Sequence, residues 1–90
     1  MATMIVRLRV EDFERWRRVF DAMAPARLEN GIVGASIHRD AEDPAVVVTI
    51  LTAGSLAEAR AWGRSEVLRR AMDDAGVIGT PEVAFLEDVD

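Results

Sequence analysis

The apolar residues of this chain change period twice, and that alternation limits the folds open to it. Met4-Ile5-Val6-Arg7-Leu8-Arg9-Val10 alternates in its second half, the two-residue period of a half-buried strand. Phe13, Trp16, Phe20 and Met23 then recur every three or four residues, an apolar helix stripe. Asp12 stands where it can cap that helix, and Pro25 should kink or break it. A further turn should end at Asn30-Gly31 in a left-handed residue. Ile32 to Arg39 reads as a second strand, Asp40 to Pro44 as a turn, and Ala45 to Thr52 as a third strand, making a hairpin. Ser55-Leu56-Ala57-Glu58 is a capping box ahead of Leu56, Ala59 and Trp62. That helix is interrupted near Gly63. Ser65 can cap a further segment carrying Leu68, Ala71, Met72 and Ala75, ended by Gly76. Gly79-Thr80-Pro81 leads into a last strand, Glu82 to Glu87. The order β-α-β-β-α-β predicts an α+β, ferredoxin-like fold: a four-stranded antiparallel sheet with helices on one face. Residues 1–90 should form a single domain.

Composition narrows the function. With no cysteine and one histidine, His38, neither a disulfide framework nor a multi-histidine metal centre is expected within one chain. The formal charge of −5 argues against a nucleic-acid partner held through phosphates. No apolar run approaches the length that spans a bilayer, and Met1-Ala2-Thr3-Met4 has no charged signal-peptide start, so a cytoplasmic, non-membrane protein is expected.

The strand faces point to a partner and a pocket. Ala45-Val46-Val47-Val48-Thr49-Ile50-Leu51 is apolar on both alternations, whereas a sheet face left in water usually carries polar residues. The bare face is therefore expected to be covered by a second copy, in a symmetric homodimer. On the first strand Val6, Leu8 and Val10 should meet the helices, sending Arg7 and Arg9 outward. The same logic places Val33, Ala35 and Ile37 inward and Ser36 and His38 outward. On the third strand it places Val46, Val48 and Ile50 inward, leaving Val47, Thr49 and Leu51 on the bare face. Convergent polar groups on an apolar wall suit a small-molecule pocket.

Four stretches carry a family resemblance. Val10-Glu11-Asp12-Phe13-Glu14-Arg15-Trp16 is similar to a V-x-D-[YF]-x-x-W helix start, and Arg39-Asp40-Ala41-Glu42-Asp43-Pro44 to an R-D-x-D-D-P hairpin. Ser65 to Met72 is similar to S-P-E-L-x-x-A-M, and Ala75 to Glu87 to A-G-V-x-G-x-P-x-x-x-F-L-E. Together they cover most of the chain and resemble the dimeric α+β barrel superfamily, in particular its small cyclase and antibiotic-biosynthesis-monooxygenase-like members. Glu66 departs from that pattern by replacing the proline. So does Thr52-Ala53-Gly54, where an acidic residue is common. The resemblance implies a homodimer of facing sheets, a ligand cavity, and chemistry without metal or flavin on polyketide-like or aromatic substrates. The superfamily's haem branch uses a helical histidine, whereas His38 lies on a strand, so no cofactor is expected here.

His38 is the candidate general acid or base, because its unperturbed pKa lies near neutrality. Arg7 and Arg9 could hold a substrate carboxylate or a developing enolate. Ser36 and Thr49 could orient a ligand, and Trp16 and Trp62 could line its cavity. Neither hydroxyl has a triad-like base in recognisable spacing. The acidic run Asp40 to Asp43 is a solvated turn rather than a calcium loop. The leading expectation is a cyclase of specialised metabolism. The alternatives are a cofactor-free monooxygenase and a non-catalytic binding or accessory protein.

Overall fold

A computed structural model describes the whole chain, residues 1–90. Its elements are β1 (Ala2–Val10), α1 (Phe13–Ala22), α2 (Ala24–Glu29), β2 (Ile32–Arg39), β3 (Val46–Ala53), α3 (Leu56–Gly63), α4 (Glu66–Asp74) and β4 (Val77–Glu87). The four strands form one antiparallel sheet in the order β2-β3-β1-β4, with the helices on one face, as the period changes require.

Local chemistry accounts for the element ends. The Asp12 carboxylate accepts from the Glu14 and Arg15 amides at 2.9 and 3.2 Å and starts α1. Pro25 has no N–H and its ring crowds the preceding turn, so α1 stops at Ala22 and Pro25 sits in the first turn of α2. Gly31, at φ +83°, supplies the left-handed residue that turns the chain from α2 into β2. Ser55 Oγ accepts from the Glu58 amide at 3.1 Å, and its own hydroxyl donates to the Glu58 carboxylate at 3.0 Å. The box is thus closed through side chains. Ser65 Oγ receives the Leu68 amide at 3.2 Å and starts α4.

The core lies between the sheet and the helices. Met4, Val6, Leu8 and Val10 of β1 meet Trp16, Ala59, Trp62 and Ala75 from the helical layer. The Trp16 ring stacks with Phe13 and Phe20, centroids 5.9 and 5.0 Å away. Arginines close both ends of this ladder. Arg39 lies over Phe13 at 4.1 Å and Arg27 over Phe20 at 3.8 Å. At Gly63 an added Cβ would lie 2.9 Å from the Phe85 ring, so the α3 end packs on the sheet at a distance only glycine allows.

Three features differ from the sequence reading. β4 begins at Val77 and not at Glu82, because Gly79-Thr80-Pro81 forms a break within the strand rather than a lead-in. The register against β1 shifts there, between Arg7 opposite Glu82 and Arg9 opposite Ile78, and Gly79 takes φ +71°. More consequentially, the phase of β3 is inverted. Val47, Thr49, Leu51 and Ala53 face the helices, and Val46, Val48 and Ile50 take the opposite phase. Both phases are apolar, so the alternation alone could not choose. Pairing with β1 does, setting Leu51 opposite Met4 and Val47 opposite Leu8. On β2 a bulge between Ile32 and Gly34 buries Ile32 and leaves Val33 half in solvent. Ala35 and Ile37 keep the inward phase, each paired to an inward residue of β3.

Candidate functional site

The seven side chains singled out from the sequence divide across the sheet. Arg7, Arg9, Ser36 and His38 lie on the outer face. Thr49 does not join them. The β3 register carries it through to the helix side, where it lines the same pocket as Trp16 and Trp62.

The outer-face groups engage one another. The His38 imidazole is 2.9 Å from Ser36 Oγ, two residues along the same strand face. Arg9 donates to the Asp43 carboxylate at 2.7 Å, and Arg7 stands 3.6 Å from Glu82. Asp43 is held below the ordinary aspartate range by the Arg9 hydrogen bond first and the Ala45 amide second. Asp40 is lowered chiefly by the Glu42 and Asp43 amides it accepts at 2.9 and 3.1 Å. The hairpin is therefore a carboxylate-organised turn, as its sequence suggested. Between these polar groups Ile5, Val48, Ile50 and Leu86 present an apolar surface, with Ile50 37% and Leu86 44% exposed.

On the helix side a pocket of about 50 Å³ lies between the sheet and α1, α3 and α4. Thirteen of its fifteen lining residues are hydrophobic. Trp16 is held in its aromatic stack, whereas Trp62 of α3 lines the pocket without an aromatic partner. Val19, Met23, Leu68 and Met72, all half-buried, also line it. The two polar residues are Thr49 and Arg27. Thr49 is 3% exposed, and its neighbours on the adjoining strands are Val6 and Ile37. Its hydroxyl takes part in no side-chain hydrogen bond of the protein, yet it is not sealed from solvent. A second space of about 260 Å³ adjoins through Met4, Leu68 and Met72 and runs past Ser65 and Pro81.

Arg27 escaped the sequence reading. It is 9% exposed, and Nη1 donates to the Phe20 carbonyl at 2.6 Å, closing the end of α1. Burial lowers its pKa from the ordinary arginine value, with nearby Asp21 opposing. A signal for it existed. Phe13, Trp16, Phe20, Met23 and Arg27 are spaced three, four, three and four apart, so Arg27 continues the buried stripe through the helix break. Reading arginine as a surface residue hides that continuation.

Nowhere do three metal-ligating side chains come together. No helix is long and apolar enough to cross a membrane.

No protein-family model matches the sequence. No curated protein matches it either. Solved structures do match the fold. SnoaB, a cofactor-independent oxygenase from Streptomyces nogalater, superposes with a TM-score of 0.77 at 16% identity, covering 99% of this chain and 93% of its own. A Bordetella bronchiseptica protein assigned as an antibiotic biosynthesis monooxygenase gives 0.80 at 14% identity, covering 98% and 96%. A Caulobacter crescentus protein with the same assignment gives 0.78 at 17% identity, covering 99% and 90%. The chain therefore has the fold of these antibiotic biosynthesis monooxygenase structures.

Proposed function

We propose that this protein is a small cofactor-independent enzyme that takes a planar aromatic or polyketide-like substrate into its helix-side pocket. The observation that carries this reading is the pocket's make-up: an apolar lining with Trp62 on its wall and one hydroxyl, that of the buried Thr49, which has no protein partner and stays open to the pocket. Ligand pockets have this character, a largely apolar lining with a few polar groups that fix orientation. The space is small as it stands. Turning the flexible Leu68 and Met72 side chains aside would join it to the adjoining groove, reaching the lower end of ligand-pocket volumes, roughly 300 Å³.

Oxygenation by dioxygen is the reaction that fits this pocket best. An electron-rich phenol or anthrone supplies its own reducing power, so the protein's task is to bind, orient and exclude water. For an anthrone, each ring methylene consumes one molecule of dioxygen. One oxygen atom becomes the new carbonyl oxygen, and the other leaves as water with the two methylene hydrogens. The methylene carbon is oxidised and dioxygen is reduced, so the step needs no further reductant. Ring closure is the second reading. It calls for proton transfer, and the group for it, His38, is oriented by Ser36 on the outer face. That chemistry would run inside a barrel formed by two facing sheets.

A homodimer belongs to the same proposal. Ile5, Val48, Ile50 and Leu86 on the outer face form an apolar surface that a second copy would cover. The test of the enzyme reading is oxygen uptake with dihydroxyanthrone as substrate, corrected for its own autoxidation. Uptake above background that falls on Trp62→Ala supports oxygenation. Background uptake with wild-type protein overturns it, and loss of ring-closing activity on His38→Ala with a natural substrate would favour the second reading.

A further inference from the structure

The pocket is apolar except at two residues, and one of them is a charge. Few proteins bury an arginine in a pocket wall without giving it a carboxylate. Arg27 is nine-tenths buried, and the acid closest in effect, Asp21, makes its ion pair with Arg17 at 3.2 Å instead. Of the Arg27 donors only Nη1 is used by the protein, on the Phe20 carbonyl at 2.6 Å. Nε and Nη2 bond to nothing in the chain, and neither is closed off from solvent. The guanidinium is also held in place. Its face lies 3.8 Å over the Phe20 ring, which itself stacks on Trp16. A fixed, planar fork in a pocket wall, with two spare donors that remain open to the pocket, is arranged to take an oxyanion.

We infer that Arg27, together with the Thr49 hydroxyl, is the anion-reading end of the helix-side pocket, and that the ligand is an aromatic molecule bearing an anionic oxygen, a carboxylate or a phenolate. This rests on the proposed use of that pocket and adds the substrate's charge. The fork would accept the oxyanion while the ring lies along the apolar wall beside Trp62. Arg27 is the one charged residue in the pocket lining, so an anionic group would be drawn to it there, although the chain as a whole is net negative, at −5. Arg27 thereby sets specificity for charge.

The test is the quenching of tryptophan fluorescence, because both tryptophans line the pocket. The probes are 2-naphthoate, its neutral twin 2-naphthamide, and 4-nitrophenol above and below its own ionisation. Wild-type protein should bind the charged form of at least one pair about tenfold more tightly than its neutral form, or better. A carboxylate preference alone identifies an acid ligand, and a phenolate preference alone identifies a phenol. Arg27→Met should erase the preference while leaving naphthamide affinity in place. A structural role as the cap of α1 would lower the melting temperature and leave the charged-to-neutral ratio unchanged. Arg27→Lys, which keeps the cap charge but loses the fork, should retain the fold and lose most of the ratio. Equal binding of charged and neutral probes to wild-type protein overturns the inference and leaves the pocket reading standing. A preference that survives in Arg27→Met overturns it as well. If no probe binds at all, the inference and the pocket reading fall together.

Discussion

Replacing Thr49 with valine should make the ligand-free protein more stable and less able to hold its substrate. Valine has nearly the shape of threonine but no hydroxyl, so the exchange isolates one polar group. Thr49 is 3% exposed, is flanked across the strands by Val6 and Ile37, and bonds to no protein partner through its side chain. An unpartnered buried hydroxyl costs about 1–3 kcal/mol. The pocket admits some solvent to it, which places the gain from Thr49→Val near the lower end, about 1 kcal/mol. For a domain of this size that raises the melting temperature by roughly 4–8 °C. Thr49→Ser is the opposite control. It keeps the hydroxyl, loses a buried methyl, and should cost about 1 kcal/mol. The assay is thermal unfolding of ligand-free protein at one fixed concentration, followed by naphthoate binding and oxygen uptake with the same samples. Valine should gain stability and lose affinity, the trade expected where a polar group is kept for function. If Thr49→Val melts lower, as Thr49→Ser does, the hydroxyl has a stabilising partner. If it melts higher but binds and turns over as before, Thr49 is no part of the site.

Three further outcomes can be checked. Stability should fall as pH drops below about 4, the ordinary aspartate range, because Asp40 and Asp43 have lowered values in the folded hairpin. Their contribution is present above the unfolded-state value and is lost as pH falls through the folded one. Asp43→Asn should flatten part of that acid limb in denaturation measured across pH. Ile50→Glu should leave the fold intact by circular dichroism and halve the mass seen by sedimentation, since Ile50 is 37% exposed at the centre of the outer face. A wild-type protein that sediments as a monomer would refute the covered-sheet reading. Gly31→Ala should cost about 1–2 kcal/mol in urea unfolding from its backbone alone, because Gly31 sits at φ +83° and a Cβ there meets the Glu58 carboxylate. A change within error would mean the α2–β2 turn relaxes freely.

Much of this protein is written locally in its chain. Asp12, Ser55 and Ser65 cap the helices they precede, Pro25 ends α1, and Gly31 and Gly76 take the left-handed turns. Each acts within a few residues of itself, through a hydrogen bond or a steric limit that needs no partner elsewhere. The order of elements, and with it the fold, follows from those punctuation marks and from the switch between two apolar periods. Trp16 and Trp62 lie along the pocket, as their helix stripes suggested, but its two polar residues did not follow. Thr49 is the one polar residue in an apolar run, and local logic sends it outward. Whether it turns in or out depends on one residue of register against β1, and that is fixed by Met4 and Leu8 finding Leu51 and Val47 from the far side of the chain. Arg27 looks like a surface charge until α2 folds back beneath Phe20 and encloses it. Polar residues inside a pocket contradict their own local preference. Only tertiary packing, which closes apolar surface around them and withholds a partner, decides that they end up there.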